Sequence, residues 1–226
     1  MPGYYIHLAS CNTEALSNRR FVLGVEAPDL LKKYYKTYGE VEKVFAKYES
    51  LLLYRFPDLI RLKQRILQKE KSGCTDGLHY GLSSTPNVIA FWCSLNKNEK
   101  IDPFWRGYAW HLLTDAIMYG RLNIDDKFRK ALEINKDAPN IEQLKRIEVN
   151  RLHEDWDRTN AKVRNTYPEV TLPKEIEELS IVKFIEEGDL VYVDWHIVKS
   201  TIEYLRSFDQ MYGNMDSIIV EVLNNI

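Results

Sequence analysis

Five histidines occur in 226 residues, and two of them carry an aspartate four positions downstream. In the segment FWRGYAWHLLTDAIMYG, His111 and Asp115 leave one face of a helix a single turn apart. Trp105, Tyr108, Trp110, Leu112, Leu113, Ile117, Met118 and Tyr119 surround them on nearly every side, the pattern of a helix buried in a core. A carboxylate buried there must be paired or coordinate a metal, because an isolated charge is costly out of water. Two chemistries satisfy it: a mutual His–Asp hydrogen bond, or joint ligation of a cation. His153 and Asp157 repeat the spacing in RLHEDWDRTN. There Val149, Leu152, Trp156 and Asn160 share the stripe of His153, which predicts that His153 faces inward and that Glu154, Asp155 and Arg158 face water.

The other candidates stand alone in the sequence. His7 lies in the apolar run YYIHLA, where a histidine is either a satisfied core residue or a ligand. Asp29 follows Pro28 and precedes a helical stripe, so it reads as an N-cap, and as a ligand only if its two oxygens serve different partners. His79 sits in a glycine-rich stretch, and His196 has no acid four residues on and reads as structural. Together, imidazoles and carboxylates make a nitrogen-and-oxygen ligand set suited to zinc, manganese or iron, with no thiolate. One ion needs three or four of these donors and a two-ion site could use seven. Only a helical bundle that folds His7, Asp29, His79, His111 and His153 together could build such a site.

The elements that must do this positioning read as helices nearly throughout. Apolar residues from Leu31 to Leu52 recur at three- and four-residue steps, a stripe from Leu30 to about Phe56 with a break at Gly39. A second helix begins at Pro57. Ser72 to Pro86 has almost no periodicity and reads as a loop carrying His79. Helices follow at about Pro103 to Gly120 and Asn140 to Thr166, with Asn140 as N-cap, then Lys174 to Glu187, Asp194 to Tyr212 and Met215 to Asn224. With no repeat and no composition break, residues 1–226 read as one all-α domain of seven to nine helices.

Acids and bases nearly cancel, 33 against 31, so no strong positive field exists to hold nucleic acid. The start MPGYYIHLAS lacks the basic and apolar regions of a signal peptide, and no apolar run is long enough to span a bilayer. Cys11, Cys74 and Cys93 are odd in number and widely spaced, which suits a reducing compartment. A cytoplasmic location is therefore expected.

In order, MPGYYIHLA, FVLGVEAPD, LHYGLSSTPNVIAFW, GYAWHLLTDAIMY and HEDWD resemble the zinc-dependent phospholipase C family of bacteria, whose all-α fold is shared by zinc-dependent single-strand nucleases. The resemblance covers about residues 1–160, with additional helices in about 174–226. It implies that Asp29, His79, His111 and Asp115 hold one metal and that His153 and Asp157 belong to a second. His7 joins at the edge, where Asp115 can bridge, and Asp29 matches the family's proposed general base. Two departures stand out. Arg121 takes the place of a further family histidine, and the processed N-terminal tryptophan of the secreted enzymes has no counterpart. The expected activity is hydrolysis of a small-molecule phosphoester through a metal-activated water, with Arg106 or Arg121 as candidates to neutralise phosphate. The competing expectations are a metal-stabilised scaffold with a decayed site and a metal-free helical module with His–Asp pairs in its core.

Overall fold

The computed structural model describes residues 3–38, 79–80, 87–134, 140–174 and 184–226; within these, side chains of 30–38 and 134 are not described. The described residues form helices and no strands: α1 Tyr4–Ala9, α2 Thr13–Ser17, α3 Arg19–Tyr38, α4 Val88–Ser94, α5 Lys97–Ile101, α6 Pro103–Leu122, α7 Ile124–Ile134, α8 Ile141–Thr166, α9 Trp195–Arg206 and α10 Met215–Leu223. The all-α expectation is met. Ten helices exceed the seven to nine expected because α1, α2, α4 and α5 are too short to show a hydrophobic period. The stripe beyond Tyr38, the helix at Pro57, Cys74 and most of the Ser72–Pro86 loop and of the Lys174–Glu187 helix lie outside the described residues.

Helix α6 is the axis of the molecule. Trp105, Tyr108, Trp110, Leu112 and Leu113 are fully buried, as an all-round apolar helix requires. It starts on Asp102, whose side chain accepts from the Phe104 N–H, with Pro103 at the first helical position where its missing N–H costs nothing. It ends on Asn123 in the left-handed conformation. Helices α3, α4, α5, α9 and α10 pack around it, α3 most extensively.

The α3–α6 contact depends on two glycines. A Cβ at Gly24 would collide with the Phe104 carbonyl, and one at Gly107 would collide with the Phe21 carbonyl and come within 2.9 Å of the Val25 nitrogen. The two backbones therefore touch, closer than any side chain would permit. Helix α3 also runs through Pro28, which lacks the N–H that would bond the Gly24 carbonyl.

Two expectations about helix position are corrected here. Asp29 is not an N-cap: α3 begins ten residues earlier, where Asn18 accepts from the Phe21 N–H at 3.0 Å. On α8, Asn140 caps as expected, accepting from the Gln143 N–H at 3.1 Å, but the inward face is rotated. Asp155, Trp156, Thr159 and Asn160 are buried, while His153 is exposed. The cause is a remote segment. One oxygen of Asp155 accepts from the backbone N–H groups of Val191, Tyr192 and Val193 at 2.8, 2.6 and 3.2 Å. A carboxylate satisfied by three donors is tolerated in a core. Among the described residues no helix is long and apolar enough to cross a membrane.

Candidate metal centre

Four separate segments deliver five side chains to one place. His7 comes from α1, Asp29 from α3, His79 from the turn before α4, and His111 and Asp115 from α6. His7, His79, His111 and Asp115 are fully buried; Asp29 is 8% exposed. The bundle thus unites five of the seven ligand candidates, which lie up to 108 positions apart in the chain.

Each donor is held by its local structure. His111 Nδ1 donates to the Val25 carbonyl at 2.7 Å, a bond that the close α3–α6 approach makes reachable. That bond fixes the tautomer and leaves Nε2 with its lone pair toward the cluster, the usual outer support of a metal-binding imidazole. The carbonyl of His7 accepts from Ser10 Oγ at 2.7 Å and Cys11 Sγ at 3.3 Å, and Ser10 in turn accepts from Trp110 Nε1 at 2.9 Å on α6. The His7 ring stacks on His111 with centroids 3.8 Å apart. His79 precedes Tyr80, whose φ of 55° turns the chain and whose ring packs edge-on against Phe91. The His79 carbonyl accepts from the Asn87 N–H, tying the turn to α4.

The donor atoms form two overlapping groups of three, His7 with His111 and Asp115, and Asp29 with His79 and His111, joined through the His111 ring. Nε2 of His79 and of His111 each lie 3.5 Å from Asp115 Oδ2 and 4.0 Å from Asp29 Oδ1, and 3.4 Å from each other. His7 Nε2 lies 3.4 Å from Asp115 Oδ1 and 3.7 Å from Asp29 Oδ2. Donors at zinc bond lengths in a tetrahedron are separated by about 3.3 Å, so this spacing fits a small divalent ion. Both ring nitrogens of His7 and both oxygens of Asp115 are buried without a hydrogen bond, as ligand atoms would be. Two aspartates and three neutral imidazoles carry a charge that one divalent ion balances. The residues fit a zinc, manganese or iron ion.

The electrostatics agree with a strongly coupled cluster. Burial, and then the His111 ring, push the His7 imidazole well below its ordinary pKa. Burial also works against charge on His111, but Asp115 foremost, with Asp29 and the Val25 carbonyl, outweighs it and raises that pKa. Burial would raise Asp115, yet the imidazoles, His111 first, bring it down to about 2. One turn before Asp29, the fully buried Glu26 is pushed well above its usual range by burial and by the Asp29 charge, and neither of its oxygens has a hydrogen bond.

The remaining candidates lie elsewhere. His153 is exposed and Asp157 half-buried, and neither joins a group of three potential ligands among the described residues. His196 is exposed at the start of α9, where its backbone N–H donates to the Asp194 cap. Arg106 is spent on the carbonyls of Gln210, Gly213 and Lys100, and Arg121 bonds Thr201 and Asn225 while lying over the Tyr204 ring. Sequence reasoning overlooked Glu26 and the Ser10–Trp110 support of His7, and set the buried Asp155 on the wet face. Only an acid among apolar neighbours in FVLGVEAPD hinted at the first. Comparison of the chain with protein-family models, curated proteins and solved structures finds no match.

Proposed function

We propose that this protein is a metal-dependent hydrolase acting on a phosphoester. The observation that carries the reading is the convergence of five residues from four segments into two triads of potential ligands that share His111, with imidazole nitrogens 3.4 to 4.0 Å from the carboxylate oxygens. The order of these five residues is also the one in which the chain resembles the bacterial zinc-dependent phospholipases C. His7, Asp29, His79, His111 and Asp115 would hold the ion, most suitably zinc. When bound, such an ion polarises a phosphoryl oxygen and makes water a nucleophile at neutral pH. The chain's own contribution is to fix the donors, exclude bulk solvent and accept a proton. Asp29 suits the last task, as the donor that retains some exposure.

A second reading, a metal-stabilised scaffold without turnover, draws on one specific observation. Arg121, where the resemblance calls for a histidine, is engaged with Thr201, Asn225 and Tyr204 rather than with the cluster. His153 and Asp157 belong to no group of three potential ligands among the described residues.

Elemental analysis of protein purified without chelator, beside His111→Ala and Asp115→Asn, tests the centre. Bound zinc, manganese or iron that both substitutions abolish is expected, followed by turnover on a phosphoester panel that Asp29→Asn removes. Metal without turnover favours the scaffold. No metal sinks both and leaves the helical module with buried His–Asp contacts.

A further inference from the structure

Helix α6 carries more than its two ligands on the face that meets the centre. His111, Asp115 and Tyr119 follow at four-residue steps, so Tyr119 continues the same stripe one turn beyond Asp115. Its ring is 8% exposed, buried except for an edge. Burial first, and then the charges of Asp115 and Asp29, raise its pKa well above that of an ordinary phenol, so it keeps its proton. Neither oxygen of Asp115 accepts a hydrogen bond, so the phenol does not donate to that carboxylate.

Trp156 of α8 stands beside Tyr119, with ring centroids 6.1 Å apart at 50°. It is 3% exposed, and its indole N–H is buried with no hydrogen-bond acceptor. That N–H is near enough to the Tyr119 oxygen to lower the phenol's pKa somewhat, but it does not close a hydrogen bond on it. A buried indole N–H normally has a partner, because leaving a donor unmet costs roughly 1–3 kcal/mol. The arrangement is therefore two neutral donors, the indole N–H with no acceptor at full bonding distance, one turn of α6 beyond Asp115. The two arginines of α6 do not serve this place, since Arg106 and Arg121 bond carbonyls and Thr201 at other contacts.

We propose that Tyr119 and Trp156 form a donor pair for an oxygen of a phosphate-type anion bound at the metal centre. The inference rests on the metal-centre reading and names the substrate-orienting groups of that site. An anion held by a cation brings acceptor oxygens to a region that otherwise offers the indole N–H no acceptor at full bonding distance. Neutral donors suit this role. They orient an oxygen through hydrogen bonds in a dry site, where such bonds are strong, without adding charge that would compete with the cation for Asp29 and Asp115. Trp156 does this from a helix whose His153 stays in solvent, so α8 contributes to the centre through its indole rather than its histidine.

The test uses the full chain loaded with zinc and inorganic phosphate as the probe. Zinc content and phosphate affinity are measured by elemental analysis and calorimetry for the native protein, Tyr119→Phe and Trp156→Phe. Full zinc content in all three, with phosphate affinity reduced roughly tenfold or more in each variant, is expected for loss of a hydrogen bond to a charged acceptor. Full zinc content with unchanged phosphate affinity in both variants overturns the donor pair and leaves the metal centre standing, as does a zinc-loaded native protein that binds no phosphate. A native protein that takes up no zinc, manganese or iron overturns the centre and the donor pair together. Should Trp156→Phe fail to fold, Tyr119→Phe decides alone, since it removes one oxygen and no packing surface.

Discussion

Gly107→Ala tests the link between helix packing and the metal centre. A methyl at this position would collide with the Phe21 carbonyl oxygen and lie 2.9 Å from the Val25 nitrogen and 3.0 Å from the Phe21 carbonyl carbon. All three are backbone atoms of α3 and cannot rotate away, so α3 and α6 must part by roughly 1 Å to restore normal contact. Overpacking of this kind costs about 1–3 kcal/mol. The same displacement stretches the 2.7 Å bond from His111 Nδ1 to the Val25 carbonyl, which adds about 1 kcal/mol. Alanine returns about 1 kcal/mol of helix propensity. The net expectation is a loss of about 2 kcal/mol, or roughly 4–8 °C in unfolding midpoint for a chain of this length. Gly120→Ala is the control on the same helix. Its methyl would meet only the side chain of the terminal Ile226, which is 54% exposed and can move, so propensity should prevail and stability hold or rise. Thermal unfolding followed by circular dichroism separates the two, and zinc content should fall in the first variant alone. If Gly107→Ala unfolds at or above the native midpoint, the packing argument is wrong.

Saturating the native protein with zinc at a hundredfold excess over its dissociation constant should stabilise it by about 2.7 kcal/mol, or roughly 5–11 °C, and a chelator should reverse this; identical midpoints in both conditions would refute the metal reading. Glu26 has a folded pKa raised above its unfolded value, so the folded state holds the extra proton and stability declines as pH rises above about 4.5, by up to about 1.4 kcal/mol per unit. Glu26→Gln removes that penalty, and its stability advantage over the native protein should widen between pH 5 and pH 8; an advantage independent of pH counts against a neutral Glu26. Asp155→Ala strips three backbone N–H groups of their acceptor and should cost about 3 kcal/mol, with faster amide exchange at Val191 to Val193, whereas Asp155→Asn keeps an oxygen and recovers much of the loss. Unaltered exchange in the alanine variant would show that this carboxylate does not pin the segment.

The legible parts of the fold were those whose causes are local. Helix α6 could be read because its apolar residues encircle it and Pro103 opens it, although it runs on to Leu122, past the Gly120 at which the pattern was expected to end. Asn140 could be read as a cap for the same reason. The face of α8 could not, because Asp155 is drawn inward by amide groups 36 to 38 residues away. Helix α3 misled through Pro28, which reads as a start signal; there the helix passes through the proline, and Gly24, four residues back, lies against α6. The site itself was half legible. The i,i+4 pair of His111 and Asp115 is buried in the cluster, but the identical spacing of His153 and Asp157 leaves His153 exposed, because spacing says nothing of which face the rest of the chain covers.

The geometry bears differently on the two chemistries that the sequence left open. A core His–Asp pair is satisfied by a direct bond of about 2.7–3.2 Å, with each polar atom finding one partner. In this cluster the short bond belongs to His111 Nδ1 and the Val25 carbonyl, on the side away from the carboxylates. Toward the carboxylates, every imidazole nitrogen stands off at 3.4 to 4.0 Å, and His7 Nε2 and both Asp115 oxygens meet no donor or acceptor at bonding distance. Each aspartate moreover presents its two oxygens to different imidazoles, Asp115 Oδ1 to His7 and Oδ2 to His79 and His111. A pairwise hydrogen-bond network would shorten some of these distances at the expense of others, whereas a shared cation favours keeping them alike. The near-equal spacing, in a site where two carboxylates need a balancing charge, is the reason to look for a metal before any other ligand.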